Sequence, residues 1–174
     1  MVFVQLTGLP GAGKTTLSEI VKEKLLQQGR AVELLDGDAL RKTINKDLGF
    51  SRADRQENLR RLGAMGHSLF LQKKIVIIAA INPFEDTRKE LSEKYGAKTV
   101  WISCPIKILL KRDPKGLYKR ALLPDDHPNK IFNLTGINDP YEEPVSPDLV
   151  IDTEKNSVEQ ASSLLLQFIL DHLR

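Results

Sequence analysis

Eight residues near the N-terminus constrain this chain more than any other feature. Gly8-Leu9-Pro10-Gly11-Ala12-Gly13-Lys14-Thr15 matches the pattern G-x-x-x-x-G-K-[ST] in full. The pattern carries meaning only between a strand and a helix, and the flanking residues predict both. Val2–Leu6 is a short apolar run that ends in Thr-Gly. After the loop, Leu17, Ile20, Val21 and Leu25 recur at helical spacing, with Gly29 as a C-terminal cap. In that setting the glycines let backbone N–H groups converge on phosphate oxygens, and the helix N-terminus adds its partial positive charge. Lys14 can then bridge the β- and γ-phosphates of ATP, the Thr15 hydroxyl can ligate Mg2+, and Thr16 can reach phosphate. Gly8, Gly11, Ala12, Gly13, Lys14, Thr15 and Thr16 form the predicted nucleotide-binding set.

The rest of the chain continues the alternation. Strands are predicted at Ala31–Leu35, Ile75–Ile81, Thr99–Ser103 and Leu149–Ile151. The unbroken apolar run at Ile75–Ile81 marks a strand buried on both faces. Helices are predicted from Arg52 to about Lys73, capped by Ser51 with Asp54 three residues on, and from Glu85 to Tyr95. A short helix runs to Arg112, and a last one follows Ser157. Alternating β and α elements predict an α/β fold, a five-stranded parallel sheet with helices on both faces, whose ligands bind beyond the C-terminal strand edges. The stretch 113–147 holds six prolines and many charges with weak periodicity. It is too long for an ordinary connector and reads as a functional lid.

Bulk properties exclude several classes. The 174 residues suit one domain, and the net charge of +3 is too small to indicate a nucleic-acid partner. The basic run Lys111, Arg112, Lys115, Lys119 and Arg120 is broken by proline and reads as contacts to nucleotide phosphates rather than RNA. No apolar run reaches a membrane span, and Met1–Thr7 reads as a strand rather than a signal peptide. A single cysteine, Cys104, forbids an intrachain disulfide and makes the cytosol the expected location. Cys104 reads as a small buried residue, Trp101 as packing, and His67, His127 and His172 lack metal-ligand spacing.

The acceptor of a phosphoryl group should lie beside the loop. Asp36-Gly37-Asp38 ends the second strand at the ligand edge. Asp38 is the expected general base, and Asp36 the expected metal and loop support. Arg41, Arg55, Arg60 and Arg61 follow, with Asn58 one turn from Arg55. They fit either bidentate contacts to an anionic acceptor or ion pairs on a solvated helix face. Phe50 either stacks on a base or staples the helix that begins at Ser51.

These residues together resemble the adenylyl-sulfate kinases, a family of P-loop kinases. The matching pieces are Thr7-Gly8-Leu9, Gly11 to Thr16, Asp36-Gly37-Asp38 with Arg41, and Asn45-Lys46-Asp47-Leu48-Gly49-Phe50-Ser51. Asp54 to Arg61, Arg112 to Lys119, Thr135-Gly136-Ile137 and Pro140-Tyr141-Glu142 complete them, in family order over most of the chain. The resemblance implies phosphoryl transfer from MgATP to the 3′-hydroxyl of adenylyl sulfate. It implies that Asp38, Arg41, Arg55, Asn58, Ile81, Asn82, Lys115, Leu134 and Thr135 line the acceptor subsite, with Phe50 stacked on adenine. Lys14, Asp38 and Lys115 become the catalytic set, and a homodimer is suggested.

The chain departs from the family pattern at several points. Ile81-Asn82-Pro83 stands where the family has Ile-Ser-Pro. Asn82 cannot carry a phosphoryl group, so transfer must be direct and in line. Glu85 stands where an arginine is usual, with Arg88 as the candidate replacement. Leu134 replaces an aromatic wall, at about 1 kcal/mol of stacking, with Phe132 as the candidate compensation. The lid is a few residues longer around Pro124–Pro128, Pro10 replaces a serine, and the chain begins at its first strand. Two other readings stay open at this level: a kinase for another nucleotide-linked hydroxyl, and a nucleotide-binding regulatory module without transfer activity.

Overall fold

The structure, a computed structural model, describes residues 1–173. Five strands form one parallel sheet: β1 (Phe3–Thr7), β2 (Val32–Asp36), β3 (Ile75–Ala79), β4 (Lys98–Ser103) and β5 (Leu149–Asp152), in the order β2-β3-β1-β4-β5. Seven helices connect and cover it: α1 (Lys14–Gln27), α2 (Gly37–Arg41), α3 (Arg52–Leu71), α4 (Glu85–Tyr95), α5 (Ile106–Arg112), α6 (Leu117–Ala121) and α7 (Val158–Asp171).

The period-2 alternation of the central strands divides the core in two. Val2 just before the first strand and Val4 and Leu6 within it, with Ile75 and Ile77 of β3, face α1 and α7. Phe3, Val76 and Ile78 point the other way, onto Leu59 and Leu62 of α3 and Leu91 of α4. Both faces of the sheet are thus dry, which is why β3 reads as a continuous apolar run. Among the described residues no helix is long and apolar enough to cross a membrane.

Helix starts follow their sequence signals. Ser51 Oγ accepts from the Asp54 amide at 3.1 Å. Ser157 and Gln160 form a reciprocal capping box, with bonds of 3.2 and 2.9 Å. Beyond one-residue shifts at the ends of the other strands, boundaries differ from expectation in three places. The third strand stops at Ala79, because Ala80–Pro83 turns out of the sheet to meet the first strand's edge, with Asn82 at φ 43°. The long helix ends at Leu71, with Lys73 in the left-handed region at φ 65°. The two shortest helices, α2 and α6, lie inside stretches read only as motifs. Each is nucleated by an aspartate: Asp36 caps the first, and Asp113 accepts from the Tyr118 and Lys119 amides of the second at 3.1 and 2.9 Å.

Candidate active site

A cavity of about 460 Å³ opens at the C-terminal ends of β1, β2 and β3. Its floor is the phosphate loop, from Pro10 and Gly11 to Gly13–Thr16. Asp36 and Asp38 form one side, Ala79–Ile81 the back, and Phe50 and Arg55 a third wall. Pro114, Lys115, Leu117, Ile131 and Asn133–Thr135 close over it from the 113–147 segment.

The loop is shaped by its glycines. Gly8 sits at φ 152°, and a Cβ there would run into the Ile102 carbonyl oxygen on the neighbouring strand. Its N–H donates to Ile81 O at 3.2 Å. Gly13, left-handed at φ 108°, begins the first helix with no side-chain cap, so that N-terminus faces the cavity open. Two of the expected loop residues do not reach the cavity wall. Gly8 supports the loop from the sheet, and Ala12 is buried with its amide donating to Leu9 O at 3.2 Å.

Lys14 is buried, and its ammonium donates to the Gly8 and Leu9 carbonyls at 2.7 and 2.9 Å. Burial lowers its pKa to about 8, although the Asp38 and Asp36 carboxylates pull it upward. Thr15 Oγ1 donates to Asp36 Oδ2 at 2.9 Å. The other carboxylate oxygen of Asp36 caps α2 through the Asp38 and Ala39 amides at 3.0 and 2.9 Å. Asp36 is therefore locked in place, whereas Asp38 extends freely into the cavity toward Lys115.

The third wall is built by two arginines around one ring. Arg41 and Arg55 place their guanidinium carbons 5.2 and 5.4 Å from the centre of the Phe50 ring. Phe50 is 53% exposed and lines the cavity, so it presents a flat face rather than stapling the long helix. Arg55 donates to Phe50 O at 3.0 Å, Asn133 O at 2.7 Å and Asp139 Oδ2 at 2.8 Å. It thus ties α3 to the far arm of the 113–147 segment.

Other expected acceptor residues stand behind the wall. Arg41 donates to Gly49 O at 2.6 Å and does not line the cavity. Asn58 is buried and accepts from Asn45 Nδ2 at 3.0 Å. Asn82 is 1% exposed and turned away from the cavity, donating to Gln5 Oε1 at 2.9 Å, while Ile81 beside it does line the wall. Arg88 cannot stand in for a missing arginine. It is buried, bonded to Glu85 Oε2, Asn82 O and Glu142 O at 2.6, 2.7 and 2.7 Å. Phe132 is 60% exposed and off the wall, and Ile131 instead joins Leu134 in the aliphatic surface. Arg60 pairs with Glu90, and Arg61 with Asp47 and Glu57, as on an ordinary solvated helix face. Cys104 is buried, and His67 stacks on Tyr95.

Sequence reasoning missed Pro114, Leu117, Ile131 and Asn133 of the wall, which carry no reactive group. It also left two tyrosines without a role. Tyr118 donates to Pro10 O at 2.8 Å. Tyr141 Oη lies 3.0 Å from Thr7 Oγ1, and Glu142 N donates to Pro83 O at 2.8 Å, mooring the C-terminal arm of the segment on the first strand. Both tyrosines stood inside the quoted family blocks, which was the available signal.

Comparison with known proteins agrees with this geometry. A family model described as Adenylylsulphate kinase matches residues 1–152. The adenylyl-sulfate kinase of Synechococcus sp. (strain JA-3-3Ab) is 42% identical over 172 residues, covering 98% of this chain and 95% of that protein. That of Bacillus licheniformis is 41% identical over 174 residues, covering 98% and 86%. The APS kinase of Mycobacterium tuberculosis, solved in complex with AMPPNP and APS, superposes with a TM-score of 0.84 at 36% identity, covering 98% of this chain and 97% of that one. Likeness at this level over nearly the whole length makes the chain a member of the adenylyl-sulfate kinase family of ATP-dependent, P-loop-fold kinases.

Proposed function

We propose that the chain transfers the γ-phosphoryl group of MgATP to the 3′-hydroxyl of adenylyl sulfate in one in-line step, releasing ADP and 3′-phosphoadenylyl sulfate. The observation that carries this reading is the placement of Asp38 and Lys115 opposite each other, between the phosphate loop and the Phe50–Leu134 cleft. The hydroxyl oxygen attacks the γ-phosphorus, its proton passes to the Asp38 carboxylate, and the bond to the β-phosphate oxygen breaks toward ADP. Lys14 and Lys115 offset the charge on the transferring group. Phe50 and Leu134 hold the adenine of the acceptor, and Arg55 and Thr135 border its ribose and phosphosulfate.

Thr15 and Asp36 fit a magnesium ion, because a hydroxyl and a fixed carboxylate already meet at 2.9 Å on the loop side of the cavity. Thr15 and Asp36 would hold such an ion, which would supply charge neutralisation at the phosphates.

Asn82 has no hydroxyl and turns its amide to Gln5, which favours direct transfer over a phosphoenzyme. The 113–147 segment acts as the lid that excludes water. A cytosolic location, supported by the unpaired cysteine, and a homodimer, supported by the family resemblance, complete the reading. The test is ADP release from purified protein with MgATP, with and without low-micromolar adenylyl sulfate, and detection of the 3′-phosphate. Acceptor-dependent turnover supports the reading. ATP binding without acceptor-dependent turnover overturns it and directs the search to other nucleotide acceptors.

A further inference from the structure

Tyr118 belongs to α6, behind the phosphate loop, and does not line the cavity. It is 1% exposed, and its phenol donates to the Pro10 carbonyl. A buried tyrosine hydroxyl requires such a partner. Burial, with Asp113 nearby, holds its pKa far above the ordinary value, so it remains a donor throughout the working pH range. The helix that carries it is fixed at its first turn by the two Asp113 bonds described above.

The acceptor of this bond matters more than its strength. The Pro10 carbonyl and the Gly11 N–H belong to one planar trans peptide, and in a trans peptide these two groups point in opposite directions. Tyr118 holds the carbonyl on the side away from the cavity. The Gly11 N–H is thereby turned toward the cavity, whose floor Gly11 forms. Gly11 adopts φ 75°, where a glycine has no Cβ penalty. Its N–H meets no protein acceptor among the described residues. The Ala12 amide is spent on Leu9, and Pro10 has no N–H, so among Pro10, Gly11 and Ala12 only the Gly11 amide is left to donate to a ligand.

We propose that Tyr118 is a positioning residue: its hydroxyl aims the Gly11 amide at the phosphates of ATP and couples nucleotide binding to the placement of α6. Lys115 lies two residues before that helix, so the same bond links occupation of the phosphate loop to the lid lysine. Coupling of this kind is reciprocal. ATP must hold α6 as firmly as α6 helps hold ATP. The inference rests on the ATP-binding part of the functional reading and on nothing about the acceptor.

The test is Tyr118→Phe, which keeps the ring and its packing and removes only the hydroxyl. ATP affinity is measured by calorimetry, and amide exchange of Leu117–Ala121 is followed with and without saturating ATP. Wild type binds ATP, and ATP slows exchange in α6. Tyr118→Phe binds ATP about tenfold more weakly, the scale expected when a buried carbonyl loses its donor, and ATP no longer slows α6 even at saturation. Wild-type affinity in Tyr118→Phe, or undiminished slowing, overturns the inference. Should that variant not fold, Asp113→Ala loosens α6 with the tyrosine intact. It is expected to weaken ATP binding severalfold, and unchanged affinity counts against the coupling. Failure of the wild type itself to bind ATP refutes the functional reading, and this inference with it.

Discussion

Lys115 Nζ stands 3.8 Å from the Asp38 carboxylate, and both side chains are 70% exposed. The pair spans the cavity from the 113–147 segment to α2. An ion pair this solvated contributes little to folding, so its residues can be changed with the fold intact. Asp38→Asn is expected to lower kcat by about 10²–10⁴-fold, the range for loss of a general base. Lys115→Ala is expected to lower it by about 10²-fold through lost charge stabilisation. Neither should move the melting temperature measurably. Steady-state kinetics beside a thermal melt separates the two effects, and wild-type turnover in Asp38→Asn removes Asp38 from the base role.

Lys14 gives a pH signature. Its folded pKa of about 8 lies below the ordinary 10.5, so the fold disfavours the charged lysine. The cost, about 3 kcal/mol, is fully present below pH 8 and is relieved as pH rises from about 8 to 10.5. Lys14→Met should abolish that relief, which urea titrations of both proteins at pH 7.5 and pH 9.5 would detect. Phosphates raise the pKa of a neighbouring ammonium. ATP binding above pH 8 should therefore take up a proton, read from calorimetry in buffers of different ionisation enthalpy. Equal heats in those buffers, after correction, would contradict it.

The Arg55–Asp139 pair, a buried guanidinium against a half-buried carboxylate, predicts a different pattern. Asp139→Asn leaves a buried guanidinium short of its counter-charge and should cost about 2–4 kcal/mol. For a chain of this size that lowers the melting temperature by several degrees. Because Arg55 also borders the Phe50 wall, the acceptor KM should rise while the ATP KM stays within about twofold. A melt and two substrate titrations check this, and an unchanged melting temperature would show the pair to be dispensable.

Asn82→Ser is informative about the chemistry. Serine is less at ease at φ 43°, and the bond to Gln5 is lost, so a stability loss of about 1–3 kcal/mol is expected. Incubation of the native chain with γ-labelled ATP should leave no covalent label after denaturation. A stable label on the wild type would defeat direct transfer.

Much of the site was legible because its residues are constrained locally. Gly8 to Thr15 form a contiguous motif, and Asp36 ends a strand whose direction the βαβ pattern dictates, with Asp38 not on the strand as expected but in the first turn of α2 beyond it. What was not legible depends on which way a side chain leaves a loop. Asn82 and Ile81 are adjacent, yet a left-handed turn sends one into the core and the other onto the wall. Arg41 and Asn58 carry groups suited to an anionic acceptor, but one bonds Gly49 O, the other bonds Asn45, and neither lines the cavity. Leu117 and Ile131 have no chemistry to betray them, and only the folding of the lid brings them over the cavity. Tyr118 was visible in its motif, but its partner at Pro10 is a long-range contact that no local pattern encodes.

The 113–147 segment is tied at both ends, by Tyr118 to Pro10 and by Tyr141 and Glu142 to the first strand and the loop after β3. Between them it is braced across its neck, where Arg120 Nε meets Asn129 O at 3.1 Å and Ile131 N meets Arg120 O at 3.3 Å. The tip beyond the brace, Pro124–Pro128, therefore carries length without carrying position. Lengthening a closed loop costs only about 0.6 kcal/mol per doubling. Residues added at this tip would cost the fold little, and the same tip is where an experimenter can graft a peptide tag or a fluorophore and leave the cavity undisturbed.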